Sequence, residues 1–437
     1  MSDDSRKTTP PKAFEKVVTV VCLLVSTGAF MSLAIEAGQT SEESSSWIGK
    51  IVALLIYLLA LFLLVRHCKG FIGNILRERY VLAIVALAIC SAYWSDNPRL
   101  SLLRGFALIG TSLFGVYFAS RYDLREQIRL LAWMCGIAMF CSFIFGWFDL
   151  GQSGDQIKDA WFGIYQQKNV LGRIMAFGAV VFLFFGRINK PRRWLAWSCA
   201  MLCMVLIVLA KSNSALAVLS GTVVMLAVFA AFRRSVRRGL MLLSLVGTAV
   251  VSLIYWVVTH LQEASQLVGR SLTLTGRLTM WILCFAMALR RPWLGYGFNA
   301  FWQGREGPSA RIARALDFTA LHAHNGFLEI LLDLGLVGLL VFGIGFVIYV
   351  WRACSLLRKP RLEFAWPLMC LTFVFLANLT EGPLVSRNDF FWVLYTATAF
   401  NLFAQVERVA SPVRERSRRK QVVYGVRARQ SGNPGLC

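Results

Sequence analysis

The chain has 437 residues, of which 57% are hydrophobic and only 16% charged, and its formal net charge is +23. This balance excludes a disordered chain and most water-soluble folds. The positive excess points to anionic lipid or nucleic acid as a partner.

The apolar residues fall in blocks of about twenty, the length an α-helix needs to cross a bilayer. In chain order the predicted spans are 17–35, 48–65, 80–94, 100–120, 130–148, 169–186, 195–210, 215–232, 239–258, 326–351, 364–380 and 390–405. The expected fold is an all-α polytopic membrane protein with about twelve transmembrane helices. Residues 1–407 form its membrane domain, with a long outer loop over 259–325 containing short interfacial helices. Residues 408–437 form a basic tail read as disordered. The first block follows Lys12 and Lys16 as a signal peptide would, but it is longer than such an apolar region usually is, and an uncleaved first helix is expected.

Basic residues set the orientation. The N-terminus, 66–79, 121–129, 187–194, 233–238, 352–363 and the tail hold roughly two-thirds of the 46 Lys and Arg. The opposite stretch 36–47 has none. Both termini are therefore expected in the cytoplasm. Nucleic-acid binding by the tail Arg414 to Lys420 is disfavoured, because it is short and has no interleaved aromatics. Cys284 is the only cysteine of the outer loop, so no outer disulfide can form within the chain, and no CxxC points to zinc or iron–sulfur.

Two outer loops stand out, 149–168 and 259–325. Within the second, 278–289 is apolar but too short to span. Leu278, Trp281, Ile282, Phe285 and Leu289 recur at helical spacing, so one face suits lipid or the bundle. Arg277 sits at the expected N-terminus of this helix, where a guanidinium and free N–H groups together suit a phosphate. Arg290 and Arg291 follow its last turn, and Pro292 ends it. A second amphipathic piece over 309–319 carries Arg311 and Arg314. A loop this basic on the outer side runs against the positive-inside trend and suits an anion, although solvated arginines account for most of it.

Charges at the ends of spans narrow the search. Lys168 and Arg173 lie at the outer start of the sixth span. Lys211-Ser212-Asn213-Ser214 makes a tight outer turn between the seventh and eighth. Glu329 and Asp333 lie one turn apart in the tenth span, placed to tune a neighbouring His or to join a polar network. There are four His. His322 and His324 stand together before Asn325, at the mouth of the tenth span. An i, i+2 His pair without further ligands does not make a metal site. A His at such a boundary suits proton transfer. His260 reads as an interface residue and His67 as a solvated one.

Taken together, Gly276-Arg277…Trp281, Pro292…Gly295-Tyr296-Gly297, His322-Ala323-His324-Asn325-Gly326-Phe327-Leu328-Glu329 and Gly335-Leu336-Val337-Gly338 resemble the O-antigen ligase and Wzy-type polymerase superfamily. Gln167-Lys168-Asn169-Val170-Leu171-Gly172-Arg173 resembles its ExoQ-like exopolysaccharide production branch. The resemblance implies a bacterial inner-membrane enzyme with a periplasmic site that uses no cofactor. Its donor is a polyprenyl-diphosphate-linked glycan. Its acceptor is a sugar hydroxyl on a lipid-linked glycan for a polymerase, or on lipid A core for a ligase. A chain-length regulator and export proteins are further expected partners, with membrane lipids and without nucleic acid. The resemblance also implies His324 as the catalytic base and Arg277 as the diphosphate ligand. Arg291, Arg173 and Lys211 are supporting cations, and His322, Asn325, Glu329 and Lys168 support the site. Where relatives carry a basic residue after the second Ser-like position of the short outer turn, this chain has Asn213, so Lys211 or Arg173 is the candidate for the second phosphate contact.

Arginines facing a leaving diphosphate can do the work of a metal, and no P-loop or nucleotide-sugar site is needed. The Lys168-Asn169 segment favours a polymerase over a ligase. The rival class is a transporter or flippase of anionic lipid-linked glycans. Against it, no internal repeat is evident, and the polar residues gather at the outer face rather than at the midplane.

Overall fold

The structure is a computed structural model that describes residues 12–30, 42–67, 76, 78–148, 160–260, 273–317, 320–357, 359, 361–382 and 384–403. The tail 408–437, most of the loop 149–168, and 261–272 with Arg270 lie outside the described residues.

The described residues form α-helices and short 3-10 turns, with no strand among them. In chain order the helices are α1 (Ala13–Ser26), α2 (Glu42–His67), α3 (Arg79–Cys90), α4 (Pro98–Arg121), α5 (Leu124–Trp147), α6 (Lys168–Ile188) and α7 (Arg193–Leu209). There follow α8 (Asn213–Arg234), α9 (Val236–Thr259), α10 (Thr273–Ala288), α11 (Ala310–Leu316), α12 (Gly326–Leu356), α13 (Trp366–Thr380) and α14 (Phe390–Phe403). Each predicted span overlaps one of them, the first only over 17–26, with 31–35 outside the described residues. Among the described residues, nine helical segments are long and apolar enough to cross a membrane, and α3 and α14 are shorter apolar helices. The protein is an all-α polytopic membrane protein.

Lipid-facing helices keep their apolar surface, so burial marks the centre of the bundle. Helix α6 is buried over most of its length, whereas α2 and α9 are mostly exposed. Phe177 of α6 is fully buried, with its ring centroid 5.2–6.1 Å from those of Phe373, Phe390, Phe391 and Trp366. Helices α13 and α14 thus close over α6, and the link between them, 381–389, emerges beside the start of α6.

Ion pairs gather one end of the bundle. Arg121 at the end of α4 holds Glu15 at the start of α1 at 2.7 Å, both side chains nearly inaccessible. Lys16 pairs with Glu126, Arg125 with Glu363, and Arg352 with Glu78. These residues belong to segments that the basic-residue pattern assigns to one side. At the other end Trp94 Nε1 donates to the carbonyl of Leu294, and the Asp96 N–H to that of Tyr296.

Helix α12 is broken at Gly335, whose φ of 65° and ψ of −164° interrupt the ladder. In a membrane the freed backbone groups need partners. The segment 292–297 supplies them. Tyr296 and Gly297 donate their N–H groups to the carbonyls of Leu332 and Asp333, at 2.8 and 2.9 Å. Leu336 and Val337 donate to the carbonyls of Pro292 and Trp293, at 2.7 and 3.1 Å. A Cβ on Gly335 would collide with the backbone of Trp293, so the glycine is required twice, for its φ and for this close approach. The paired glycine motifs read in the sequence are the two halves of one docking joint.

Candidate active site

Helix α10 starts at Thr273 rather than Leu278. Arg277 therefore lies inside the helix, which corrects the expectation of a helix-end phosphate cradle there. The side chain works instead. Its Nη1 donates to the Thr380 carbonyl at 2.9 Å and reaches Ser214 Oγ at 3.4 Å, and its Nη2 pairs with Glu381 at 2.9 Å. One turn on, Trp281 Nε1 donates to the carbonyl of Ala323 at 2.8 Å. The i, i+4 spacing thus lets one face of α10 hold both the α13 end and the His loop.

The His loop is clamped. The Glu329 carboxylate accepts from Trp302 Nε1 at 3.1 and 3.0 Å and from the N–H of Ala323. Glu329 thus anchors the residue before His324, its carboxylate meeting Trp302 and Ala323 rather than the imidazole. Asn325 caps α12, its Oδ1 accepting from Phe327 and Leu328 at 3.0 and 3.2 Å. Between them His324 takes a left-handed φ of 52°. This conformation is uncommon for a residue with a side chain and needs support from its surroundings.

Glu381 joins the parts. Its second oxygen lies 3.5 Å from His324 Nδ1, near enough for an ion pair though short of an aligned hydrogen bond. Burial alone would push this carboxyl up, but His324, then Arg277 and Arg173, outweigh it and hold it at about 2. Arg173 lies over the Phe391 ring at 4.8 Å, with its guanidinium against Gly382; a Cβ there would sit 2.6 Å from Nη1. The ring of His322 is 4.1 Å from that of His324. Burial, with the charge of His324 adding to it, pushes the His322 imidazole down to about 4.

The cluster therefore holds two guanidinium groups, one ionised carboxylate and two imidazoles. Four of its buried polar atoms, Arg173 Nε, His324 Nδ1, Asn378 Oδ1 and Thr380 Oγ1, have no hydrogen-bond partner among the described residues. Unmet donors and acceptors at one place suit a polar, anionic ligand.

The remaining candidates divide. Lys168 is buried at the start of α6, and Asn169 beside it accepts from Ser212 Oγ at 3.1 Å. A Cβ on Gly172 would meet Ser212 and Ala215, so the small residue lets α6 pack against the start of α8. This brings the Lys211 turn near the cluster: Ser212 caps α8, Ser214 reaches Arg277, and Lys211 is exposed with φ 49°. Arg291 is engaged elsewhere, 2.6 Å from Asp96 and 4.8 Å over the Tyr296 ring. Sequence reasoning missed Glu381. The signal was there, an acid followed by Gly382 just past the end of a predicted span. His260 stacks on Trp256 at the end of α9.

Spans of membrane length, a helix break sealed by a glycine loop and an Arg–Glu–His cluster at one end of the bundle mark a multi-pass membrane protein. The O-antigen ligase family, Wzy_C, matches residues 199–343. That segment includes Lys211, Arg277, Arg291, both His and Glu329, but not Arg173 or Glu381. Over a longer stretch the chain is similar to the exopolysaccharide production protein ExoQ of Rhizobium meliloti (strain 1021). The two are 24% identical over 312 residues, 68% of this chain and 70% of the relative. Both matches support the O-antigen ligase and ExoQ-like family that the motifs resemble.

Proposed function

We propose that this protein is a membrane glycosyltransferase that polymerises polyprenyl-diphosphate-linked oligosaccharide repeats into exopolysaccharide. The observation that carries this reading is Glu381, which contacts both Arg277 and His324 and so joins an anion-binding group to a proton acceptor. Arg277 and Arg173 receive the donor diphosphate. Glu381 faces Nδ1 of His324, which favours the tautomer that leaves Nε2 free as a base. Nε2 takes the proton of the acceptor hydroxyl as its oxygen bonds to the anomeric carbon. The bond from that carbon to the diphosphate breaks, and the electron pair leaves on the diphosphate oxygen between the two guanidinium groups. His322, held neutral beside His324, adds no competing charge.

The positive-inside pattern supports cytoplasmic termini and a periplasmic position for this cluster at the inner membrane. The similarity to an exopolysaccharide production protein favours a glycan acceptor over lipid A core, and a transferase over a transporter. The test uses purified protein in detergent with lipid-linked repeat alone, then with lipid A core added. Lengthening of the lipid-linked repeat without any gradient is expected, and His324→Ala should reduce it about 100- to 10,000-fold while folding normally. Product only with lipid A core makes the protein a ligase, and wild-type yield from His324→Ala refutes the mechanism.

A further inference from the structure

The fold leaves the polar atoms of His322 unused. Among the described residues neither of its ring nitrogens makes a hydrogen bond or an ion pair. Neither is sealed in, unlike the orphaned Nδ1 of His324, and the residue keeps part of its surface exposed. A histidine that serves only the fold is held by a partner. This one presents both nitrogens to whatever enters the site.

Its placement follows from Ala323. The N–H of Ala323 is held by Glu329, its carbonyl by Trp281 at 2.8 Å, and its side chain is fully buried. With Ala323 turned inward, the residues on either side of it turn outward together. Their rings meet, with centroids 4.1 Å apart and planes inclined at 54°. The two imidazoles therefore share one wall of the site. Nδ1 of His324 faces Glu381, 3.5 Å away, which leaves its Nε2 beside the His322 ring as the reacting atom.

The chemistry of the His322 ring selects its ligand. Burial, and after it the charge of His324, pushes this imidazole down to about 4, so at neutral pH it is uncharged. A neutral imidazole offers one donor and one acceptor. That makes it a poor ligand for a diphosphate, which guanidinium groups hold with charge and a planar fork of donors. It matches a hydroxyl, which also donates once and accepts.

We infer that His322 binds a second hydroxyl of the acceptor sugar, on the carbon next to the one whose hydroxyl His324 activates. The inference rests on the glycosyl-transfer reading and adds the acceptor's chemistry to it. Because the two rings touch, the two hydroxyls they hold must be neighbours. The acceptor is therefore a glycan ending in a sugar with free vicinal hydroxyls, and His322 determines that specificity.

The test uses purified protein and a donor repeat whose own terminal hydroxyls are capped by methylation. The acceptors are the lipid-linked repeat and a set in which each hydroxyl of its terminal sugar is replaced in turn by hydrogen. One replacement should abolish product and so mark the attacked position. Replacement on an adjoining carbon should lower kcat/KM about 5- to 100-fold in wild type, as expected when a site's hydrogen-bonding group is left unmet. In His322→Phe the complete repeat should fall by the same factor, and the adjoining hydroxyl should then matter by no more than about twofold. His322→Asn, which keeps a donor and an acceptor, should restore the discrimination. Equal losses for every acceptor in His322→Phe, as a supporting role would give, overturn the inference. So does discrimination that survives in His322→Phe. Where Phe disturbs the size-exclusion profile, His322→Ala makes the same comparison. Acceptor affinity, measured without donor on His324→Ala, separates this inference from the reading beneath it. The complete repeat should bind more tightly than one deoxy repeat, and adding His322→Phe should erase the difference. Absence of that difference overturns the inference. The difference intact, with no product from any acceptor in wild type, would sink the glycosyl-transfer reading and leave hydroxyl recognition standing.

Discussion

Replacing Glu381 by Gln keeps the shape and removes the charge that joins Arg277 to His324. A carboxyl held at about 2 instead of its ordinary 4.5 contributes about 3 kcal/mol of favourable interaction. Because the folded state depresses this group, that stabilisation is fully present above about pH 4.5. It is lost as pH falls from there toward 2. The Gln variant should therefore unfold more easily than wild type at pH 7, and the gap should close in acid. Its activity should fall further than its stability explains. An imidazole with no carboxylate at Nδ1 is free to take the wrong tautomer, and a misdirected base costs about 100-fold or more. Rates are measured with purified protein and lipid-linked repeat, and stability by thermal unfolding in the same detergent. The double variant with His324→Ala separates the roles. If Glu381 acts through His324, adding Glu381→Gln to His324→Ala costs little more. A Glu381→Gln variant with wild-type turnover, or losses that simply multiply in the double variant, would refute the reasoning.

Three further outcomes test the surroundings. Gly335→Ala adds a Cβ against the Trp293 backbone at a left-handed φ. It should cost about 3 kcal/mol or more and abolish a monodisperse peak in fluorescence-detected size exclusion. Trp281→Phe removes the bond to the Ala323 carbonyl; a stability loss of about 1 kcal/mol by thermal unfolding and a several-fold lower turnover are expected. His322→Asn should lower turnover far less than His324→Ala. It should also flatten stability between pH 6.5 and 4, because a histidine buried neutral at about 4 loses stability as acid protonates its unfolded counterpart.

The architecture was legible because lipid dictates it: blocks of about twenty apolar residues admit one backbone solution. The motifs were legible as motifs, but their division of labour was not. The Gly335 step reads as a pattern in one dimension; only in three does it become a helix break filled by 292–297. Arg291 and Arg277 look alike in sequence, both beside one apolar stretch. What separates them is which acid each meets, Asp96 or Glu381, and neither acid is near in the chain. Glu329 read in the sequence as either tuning a neighbouring His or joining a polar network, and its contacts are of the second kind for the same reason. Adjacency to His324 left both roles open, and the fold turns its carboxylate to Ala323 and Trp302.

That arrangement shows why so many fixed residues surround one histidine. Ala323 is gripped from both sides, its N–H by Glu329 and its carbonyl by Trp281. On the other side of His324, Asn325 is committed to capping α12. A residue between two such anchors has little freedom, and the left-handed φ of His324 is imposed by them rather than chosen. The result is an imidazole whose direction is set before any substrate arrives, which lowers the reorganisation left for the reaction. The scaffold extends outward from there. Helix α12, which bears the cap, is broken at Gly335, and the joint that seals the break also carries Tyr296, whose hydroxyl bonds the Met287 carbonyl on α10. Helix α10 in turn supplies Arg277 and Trp281. The distance between Arg277, the proposed diphosphate ligand, and His324, the proposed base, is therefore set twice, through Glu381 and through the glycine joint. Loosening either should disturb catalysis before it disturbs binding.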